Sequence, residues 1–229
     1  MLRWARLVEG ERTIWSFPLD QRETMLERMK THVRALLGSA IRLVPLDESH
    51  AERVVTAALS HPEIWRHIPY SMKSESDVRA RLALAFALRE AGTGVVYATE
   101  LISSGEVIGG TAILCVDPRV PSFEIGSTWI VPPHQRTRVN TEAKYLQLSF
   151  AFEELSAARV ELKTDVLNER SRAAIARLGA RQEGIFRSHM RRADGSLRDS
   201  VFFSITAEEW PRVKADLASK LAGPSATKS

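Results

Sequence analysis

The chain has 229 residues, 44% of them hydrophobic and 26% charged, which suits one sizeable folded core. Its net charge of +4 is spread along the chain, as expected for an ordinary basic surface or for a protein that attracts an anionic ligand; helix-turn-helix, zinc-finger and Arg-rich tail patterns are absent, so no nucleic acid is expected. A single cysteine, Cys115, excludes an internal disulfide and a Cys-rich metal site, and no metal is expected. The lack of a long apolar run predicts no membrane span, and the lack of a signal-peptide layout predicts a cytoplasmic protein.

The first 40 residues differ from the rest of the chain. From Asp20 to Leu37 apolar residues recur at three- and four-residue spacing, which predicts a helix that Gly38 would end. Residues 1–40 are therefore expected to form a partly helical extension. It is either a docked arm or a loosely held segment, and the pattern does not separate the two.

Alternating and helical patterns follow one another from residue 41 to residue 221. The predicted elements are a strand at 41–46, a helix capped by Ser49 and Glu52 and ending at Leu59, a helix at 77–91 capped by Ser76 or Asp77, strands at 95–102, 107–116 and 125–131, a helix opening at Asn140, a strand at 160–166, a helix at 168–178 capped by Asn168, strands at 186–192 and 198–206, and a helix at 207–221.

The order of these elements predicts how the strands pair. The 125–131 and 160–166 strands are joined through a helix, a βαβ crossover, so they should be parallel. Hairpin signals at 103–106 and at Asp194-Gly195 make other pairs antiparallel. The result is one α/β (α+β) domain with a mixed, mostly antiparallel sheet and helices on both faces. The polar tail after Gly223 is expected to be disordered.

The segment from Phe123 to Glu142 reads FEIGSTWIVPPHQRTRVNTE. An apolar strand stops at Pro132-Pro133, a polar loop with two arginines follows, and a helix opens at Asn140. Unpaired backbone N–H groups converge where such a loop enters a helix, and they favour an anion such as phosphate. This segment is therefore predicted to hold a phosphorylated cofactor.

Element order and several motifs together resemble the GNAT superfamily of acyl-CoA-dependent N-acyltransferases, and in particular its RimJ/RimL-type branch. The matching stretches are Gln135-Arg136-Thr137-Arg138-Val139-Asn140, Asn140-Thr141-Glu142-Ala143-Lys144, Asn168-Glu169-Arg170-Ser171, Leu178-Gly179, Asp194-Gly195 and Arg198-Asp199. The resemblance covers roughly residues 41–210, which implies a GNAT domain there. Residues 211–229 would then be the end of the last helix and a polar tail.

The resemblance implies acetyl-CoA as co-substrate and assigns residues to it. The family's pyrophosphate loop reads Gln/Arg-x-x-Gly-x-Gly/Ala, and arginine and asparagine replace its two glycines here. The pyrophosphate would be held by residues 135–141, namely Gln135, Arg136, Thr137, Arg138, Val139, Asn140 and Thr141. Arg136 and Arg138 could add charge-assisted contacts or only solvate a surface loop. The pantetheine arm would lie between two splayed strands, against Trp129, Ile130, Val131 and Asn168.

The catalytic roles are likewise implied by the resemblance. Glu124 would act as general base, with a solvent-facing strand position or a structural salt bridge as the alternative. Many members place a tyrosine acid seven residues after the helix-capping Asn, but Ile175 stands there. In RimJ/RimL-type members a serine takes part in place of this acid, which points to Ser171. Asn168 would form a hydrogen bond with the pantetheine arm near its sulfur. The simpler interpretations are that Ser171 is only a small helix residue and that Asn168 is an ordinary N-cap.

The acceptor is less defined by the sequence. In this fold the early helices, the loop between them and the last hairpin surround it, where Trp65, Pro69, Tyr70, Met72 and Arg191-Arg192 lie. We expect an N-acetyltransferase acting on a protein or peptide N-terminal amine. A small amine, such as a polyamine, amino acid or aminoglycoside, is the second interpretation, and a non-catalytic acyl-CoA-binding module is the third. A homodimer is compatible with all three.

Overall fold

The computed structural model describes the backbone at residues 6–9 and 12–15 and the full chain at 27–117 and 120–223. The strands are β1 Arg6–Glu9, β2 Arg12–Trp15, β3 Leu36–Leu37, β4 Ile41–Pro45, β5 Gly94–Leu101, β6 Val107–Asp117, β7 Ser122–Ile130, β8 Arg159–Asp165, β9 Arg181–Arg191 and β10 Leu197–Thr206. The helices are α1 at 27–31, α2 Ala51–Leu59, α3 Glu75–Ala91, α4 Val139–Ser149, α5 Glu169–Arg177 and α6 Trp210–Ala222.

Eight strands form one mixed sheet in the order β3-β4-β5-β6-β7-β8-β10-β9. Among the strands in the described part of the chain, only β7 and β8 pair in parallel, as the βαβ crossover predicts, and β1 with β2 forms a separate hairpin. The parallel ladder is short, running from Ser122 opposite Arg159 to Glu124 opposite Glu161. Beyond this point the two strands stop pairing with each other while β7 stays paired with β6 and β8 with β10, so a wedge opens between them. The predicted splayed pair is therefore present.

Helices pack on the sheet through two separate apolar clusters. One contains Val54, Val78 and Leu82 from α2 and α3. The larger cluster contains Leu148 from α4, Val213 from α6 and the central strand residue Phe123. α4 and the segment after it pack on this core: Leu148 and Leu155 are buried in it, and Tyr145 and Phe152 pack against it. The single α/β domain predicted from the pattern is confirmed.

Two predicted helix starts were wrong by a few residues. Asp47, not Ser49, begins the first helical segment: its carboxylate accepts from the Ser49 N–H at 2.9 Å and His50 completes the capping box. Ser74 caps α3, and the Asp77 carboxylate accepts from the Ser74 N–H in return. In both places a second polar residue near the start is also a favourable N-cap type, so the sequence alone leaves the exact start open.

The helix predicted from Asp20 to Leu37 was also wrong over its last part. The structure has a helix only at 27–31, and Leu36–Leu37 pairs with β4 as strand β3. Residues 20–26, like the polar tail at 224–229, lie outside the described residues. The buried Glu142 carboxylate accepts from the Ser39 hydroxyl at 2.9 Å and from the Ala40 N–H, which attaches this turn to α4.

We expect the segment at 27–40 to contribute to stability. Met29 is 2% exposed in the larger core, so Met29→Ala should lower the free energy of unfolding by about 2–4 kcal/mol, measured by urea denaturation. Leu37→Ala is the matched control because Leu37 is 69% exposed and should change stability by less than about 0.5 kcal/mol. Equal effects of the two variants would show that the arm is not docked in solution.

Candidate active site

A cleft of about 950 Å³ occupies the wedge between β7 and β8. Its walls come from both splayed strands, from the 135–141 loop with the start of α4, from α5, and from the segment between α2 and α3. The cleft opens because the two strands separate. Backbone groups that would pair across a closed sheet therefore face the cleft and need other partners.

The β7 wall contains a bulge opposite β6. The β6–β7 register shifts between Gly110 and Ala112, and Ser127 has a positive φ of 49°. Gly109 permits close strand contact, since a Cβ there would lie 2.3 Å from the Trp129 carbonyl oxygen. The Val131 N–H donates to Ile108 O at 2.9 Å within the sheet. Because the N–H groups of successive strand residues point to opposite neighbours, the Ile130 N–H points away from β6 and toward the wedge.

The loop before α4 presents backbone donors to the cleft. Arg136 has φ 60°, while Arg138 keeps a helical φ of −71° at the N-cap position, so the missing glycine there causes no strain. Among the described residues, no acceptor binds the N–H groups of Arg136, Arg138, Asn140 or Thr141. The Val139 N–H donates instead to Thr137 Oγ1 at 3.3 Å. The predicted group of unpaired donors is thus largely formed.

Side chains of the loop hold its position. Gln135 Nε2 donates to Ile130 O at 2.6 Å, and its Oε1 accepts from Arg170 at 2.6 Å, which links the end of β7 to α5. Arg138 Nη1 donates to Leu221 O at 2.9 Å, at the C-terminus of α6. The Arg136 side chain is exposed and makes no hydrogen bond or ion pair with the described residues. Of the two arginines, Arg136 is the one left unpaired for a ligand.

Glu124 lies where the parallel ladder ends and the wedge opens. Its Oε2 accepts from Lys163 Nζ on β8 at 2.5 Å, and its side chain is 15% exposed. The other oxygen, Oε1, lies beside Gly126, where a Cβ would stand only 2.7 Å from it. Glu124 therefore has one oxygen in an ion pair and one directed along β7 toward the bulge.

Asn168 and Ser171 lie together at the start of α5. Asn168 is the N-cap, and its Oδ1 accepts from the Ser171 N–H at 3.0 Å. Both residues line the cleft. Because the carbonyl oxygen of Asn168 makes the cap, its amide nitrogen is available to another group. The predicted N-cap role is confirmed, and it leaves a donor for a ligand.

Lys144 is a buried cation in the floor of the cleft. It is 4% exposed, and its Nζ lies 3.0 Å from Thr111 Oγ1, 2.6 Å from Thr128 Oγ1 and 3.0 Å from Gln147 Oε1. All three partners are neutral. Desolvation alone lowers the pKa of Lys144 to about 7. The sequence contained one signal for it: Lys144 precedes Leu148 by four residues on the buried stripe of α4, where an apolar residue is normal.

The far end of the cleft holds a second buried cation. Arg198 at the start of β10 is 6% exposed and lines the cleft; its Nη1 makes only a long 3.5 Å contact with His67 O. Tyr70 lines the same region with Arg81 stacked over its ring at 3.9 Å. Of the other predicted acceptor residues, Pro69 lines the cleft, whereas Trp65 and Met72 are buried in the core.

Charges in the cleft wall are mostly positive. Glu124 is the carboxylate among the lining residues, and the lining Arg and Lys residues are Arg81, Arg136, Arg138, Lys144, Lys163, Arg170, Arg177, Arg198 and Lys220. Such a field attracts anions and disfavours cations. Within 27–117 and 120–223 no group of three His, Cys, Asp or Glu side chains could hold a metal ion, and none of the helices there is long and apolar enough to cross a membrane.

Most predicted site residues come together in this cleft. Those that line it are Glu124, Trp129, Ile130, Gln135, Arg136, Thr137, Arg138, Asn140, Thr141, Asn168 and Ser171. Val131 and Val139 do not line it, since both are buried and their N–H groups are already bonded. Arg191 and Arg192 lie outside it; Arg191 donates to Gly195 O, and Arg192 binds the buried Asp165 through two hydrogen bonds.

Comparisons with known proteins agree with this geometry. A family model described as "Acetyltransferase (GNAT) domain" matches residues 40–181, more than half of the chain. A Bacillus subtilis (strain 168) protein named "Putative ribosomal N-acetyltransferase YdaF" is 32% identical over 110 residues. That alignment covers 48% of this chain and 59% of the relative, so the match spans less than two thirds of the relative's length.

Solved structures share this fold over most of the chain. A GCN5-related N-acetyltransferase from Brucella melitensis has a TM-score of 0.76 and 29% identity, over 84% of this chain and 87% of that one. Mycobacterium smegmatis RimJ in complex with CoA-disulfide has a TM-score of 0.68 and 23% identity, over 82% and 91%. At that identity the second likeness concerns the fold alone.

Proposed function

The chain belongs to the acetyltransferase (GNAT) domain family, and on this premise we propose that it transfers an acetyl group from acetyl-CoA to the N-terminal α-amine of a protein or peptide. The observation that carries the proposal is the wedge between β7 and β8, which places the free donors of the 136–141 loop, the Asn168 cap and the Glu124 carboxylate in one cleft.

Acetyl-CoA would bind along the wedge with its phosphates at the start of α4. The N–H groups of Arg136, Arg138, Asn140 and Thr141 meet the positive end of the α4 dipole there, which favours a pyrophosphate. The exposed Arg136 guanidinium adds charge. The Ile130 N–H on the open side of β7 would pair with the pantetheine arm, and the Asn168 amide nitrogen would donate near its sulfur.

The chain's own residues would then divide the chemistry. Glu124 accepts the proton that the acceptor amine loses as it attacks the thioester carbon. A backbone N–H at the β7 bulge stabilises the oxygen that becomes negative. Ser171 donates a hydrogen bond to the departing thiolate in place of the tyrosine that Ile175 replaces, and the proton taken by Glu124 passes to the thiolate through solvent. The bond from carbon to sulfur breaks as the amide forms, leaving an acetylated amine and CoA.

The charge of the cleft supports an α-amine as the acceptor. An N-terminal amine has a pKa of about 7.7–8 against about 10.4 for lysine, so it is partly neutral before binding. At the far end of the cleft, Arg198 and the Arg81 that stacks on Tyr70 disfavour polyamines and aminoglycosides, which carry several positive charges. Among small amines, amino acids stay compatible with the cleft because their carboxylate offsets the amine.

The function can be tested with the full-length protein, acetyl-CoA and a mixed library of peptides and small amines. CoA release and mass spectrometry of the products would report transfer. We expect peptides with free N-termini to be acetylated and their N-blocked counterparts to be inert. Tight acetyl-CoA binding without acetylation of any library amine would instead identify a non-catalytic acyl-CoA-binding module.

Arg136 provides a direct test of the phosphate site. Arg136→Ala should raise the Kd for acetyl-CoA about tenfold, because an unpaired guanidinium would lose a charge-assisted contact with the pyrophosphate. Alanine and arginine both carry a Cβ and disfavour a φ of 60° to a similar degree, so the substitution changes the backbone strain at position 136 little. Isothermal titration calorimetry at low and high salt would measure the loss, which should shrink as salt rises.

A matched control is Arg187→Ala, which removes an exposed arginine from β9, outside the cleft. It should leave the Kd within twofold. Arg138→Ala is less suitable, because that side chain also holds Leu221 O. An unchanged Kd for Arg136→Ala would remove Arg136 from the cofactor site.

A further inference from the structure

Arg198 is a buried arginine whose charge lacks a counter-ion in the described chain. It is 6% exposed, its Nε is buried without any hydrogen-bond partner, and no carboxylate of the described residues forms an ion pair with it. Its single contact, from Nη1 to His67 O, is 3.5 Å long and therefore weak. Leaving a charged donor buried and unpaired is costly, so native structures usually satisfy it with a ligand or a partner.

The two carboxylates whose charge acts on Arg198 are already paired with other cations. Asp165 and Glu124 are the acidic groups whose charge acts on Arg198. Asp165 is held by Arg192 through two hydrogen bonds of 2.9 and 3.0 Å, and Glu124 is held by Lys163. Arg192 and Lys163 thus neutralise the two carboxylates whose charge acts on Arg198. One positive charge is left over, and Arg198 carries it.

The surroundings of Arg198 define what could neutralise it. Its guanidinium lies in the acceptor half of the cleft, between the last hairpin and the segment joining α2 to α3. Apolar side chains from Ile64, Ile68 and Met190 line the same region. A planar carboxylate on a compact organic molecule fits such a site, because a guanidinium binds carboxylates in a bidentate manner.

We propose that Arg198 binds a carboxylate of the acceptor, so that the preferred substrate carries its reactive amine and an acidic group within a few bonds of each other. The proposal rests on the proposed acetyl transfer and adds the acceptor's chemical class to it. Two sources share this chemistry. One is a peptide whose first residue is Asp or Glu, and the other is a free amino acid with its α-carboxylate.

The test compares acceptors that differ only in that acidic group. For the full-length enzyme with saturating acetyl-CoA, kcat/KM should be roughly 10- to 100-fold higher for peptides beginning with Asp or Glu than for the same peptides beginning with Asn or Gln. A second arm compares free amino acids with their α-carboxamides and identifies the other source. A preference in either arm supports the proposal, and the absence of a preference in both overturns it.

Variants connect the preference to Arg198. Arg198→Gln should reduce the carboxylate-to-carboxamide ratio to below threefold while the Kd for acetyl-CoA stays within twofold. Arg198→Lys, which keeps the charge, should retain part of the ratio, and it replaces Arg198→Gln if that variant fails to fold. Arg187→Gln, an exposed change on the same hairpin, should retain the full ratio. A ratio unchanged by Arg198→Gln overturns the assignment.

Failure of this inference is distinguishable from failure of the proposed function. If amines are acetylated equally well with and without a carboxylate, acetyl transfer stands and the Arg198 assignment is wrong. If Arg198→Gln weakens acetyl-CoA binding and leaves acceptor preference unchanged, Arg198 serves the cofactor and the assignment is again wrong. Calorimetry checks both arms without catalysis, by comparing the α-amide of N-acetyl-aspartate with that of N-acetyl-asparagine and N-acetylglycine with N-acetylglycinamide; equal affinities within both pairs would contradict the proposal.

Discussion

Replacing Glu124 by glutamine is expected to lower kcat/KM for an α-amine acceptor at least about 100-fold, the loss typical of a general base in proton transfer. Glu124 is the carboxylate in the wall of the cleft, it lies where β7 and β8 separate, and one of its oxygens is not engaged by Lys163. Glutamine keeps the size of the side chain and cannot accept the proton. Steady-state kinetics with acetyl-CoA and a peptide acceptor would measure the change.

The matched control is Glu161→Gln. Glu161 is opposite Glu124 in the parallel ladder, but it binds Arg159 and does not line the cleft. It should retain kcat/KM within threefold. The Kd for acetyl-CoA should be similar in wild type and both variants, because neither residue contacts the 136–141 loop. A loss below threefold for Glu124→Gln would assign Glu124 to a structural ion pair with Lys163.

The fold from residue 41 onward could be predicted because its signals are local. Gly92, Gly179 and Asn168 end or begin helices through their own backbone or side-chain geometry, and each does so in the structure. The parallel pairing of β7 and β8 followed from the handedness and length of one crossover. By contrast, Leu36–Leu37 pairs with β4 although its spacing is helical, because the edge of a sheet is not visible in a local pattern.

The candidate site was most predictable where its residues are neighbours in the sequence or share one strand, as Glu124 and Trp129 do. The loop at 135–141 and the Asn168-Ser171 pair were found from neighbouring residues, and they line one cleft. The contacts that hold the site join residues far apart, such as Gln135 with Arg170 and Arg138 with Leu221. The unpaired state of Arg198 could not be predicted, because it depends on which cations had already taken Asp165 and Glu124.

Lys144 should make stability depend on pH in a way that Lys144→Met removes. Desolvation lowers the pKa of Lys144 to about 7 in the folded chain, against about 10.4 when unfolded. Below pH 7 both states bind the proton and stability has no slope from this group. Between pH 7 and 10.4 only the unfolded state binds it, so stability rises with pH. Wild type should therefore gain about 3 kcal/mol relative to Lys144→Met between pH 6.5 and 9.5.

The network around Lys144 explains why the fold tolerates this proton exchange. As an ammonium, Nζ can donate to Thr111, Thr128 and Gln147; as a neutral amine, it can accept from the Thr128 hydroxyl and still donate to the other two. Either state satisfies the same heavy atoms. Urea denaturation across the pH range measures the difference, and Lys73→Met, at an exposed position, should show none. A pH-independent difference for Lys144→Met would mean that Lys144 remains charged throughout, with water reaching Nζ through the cleft.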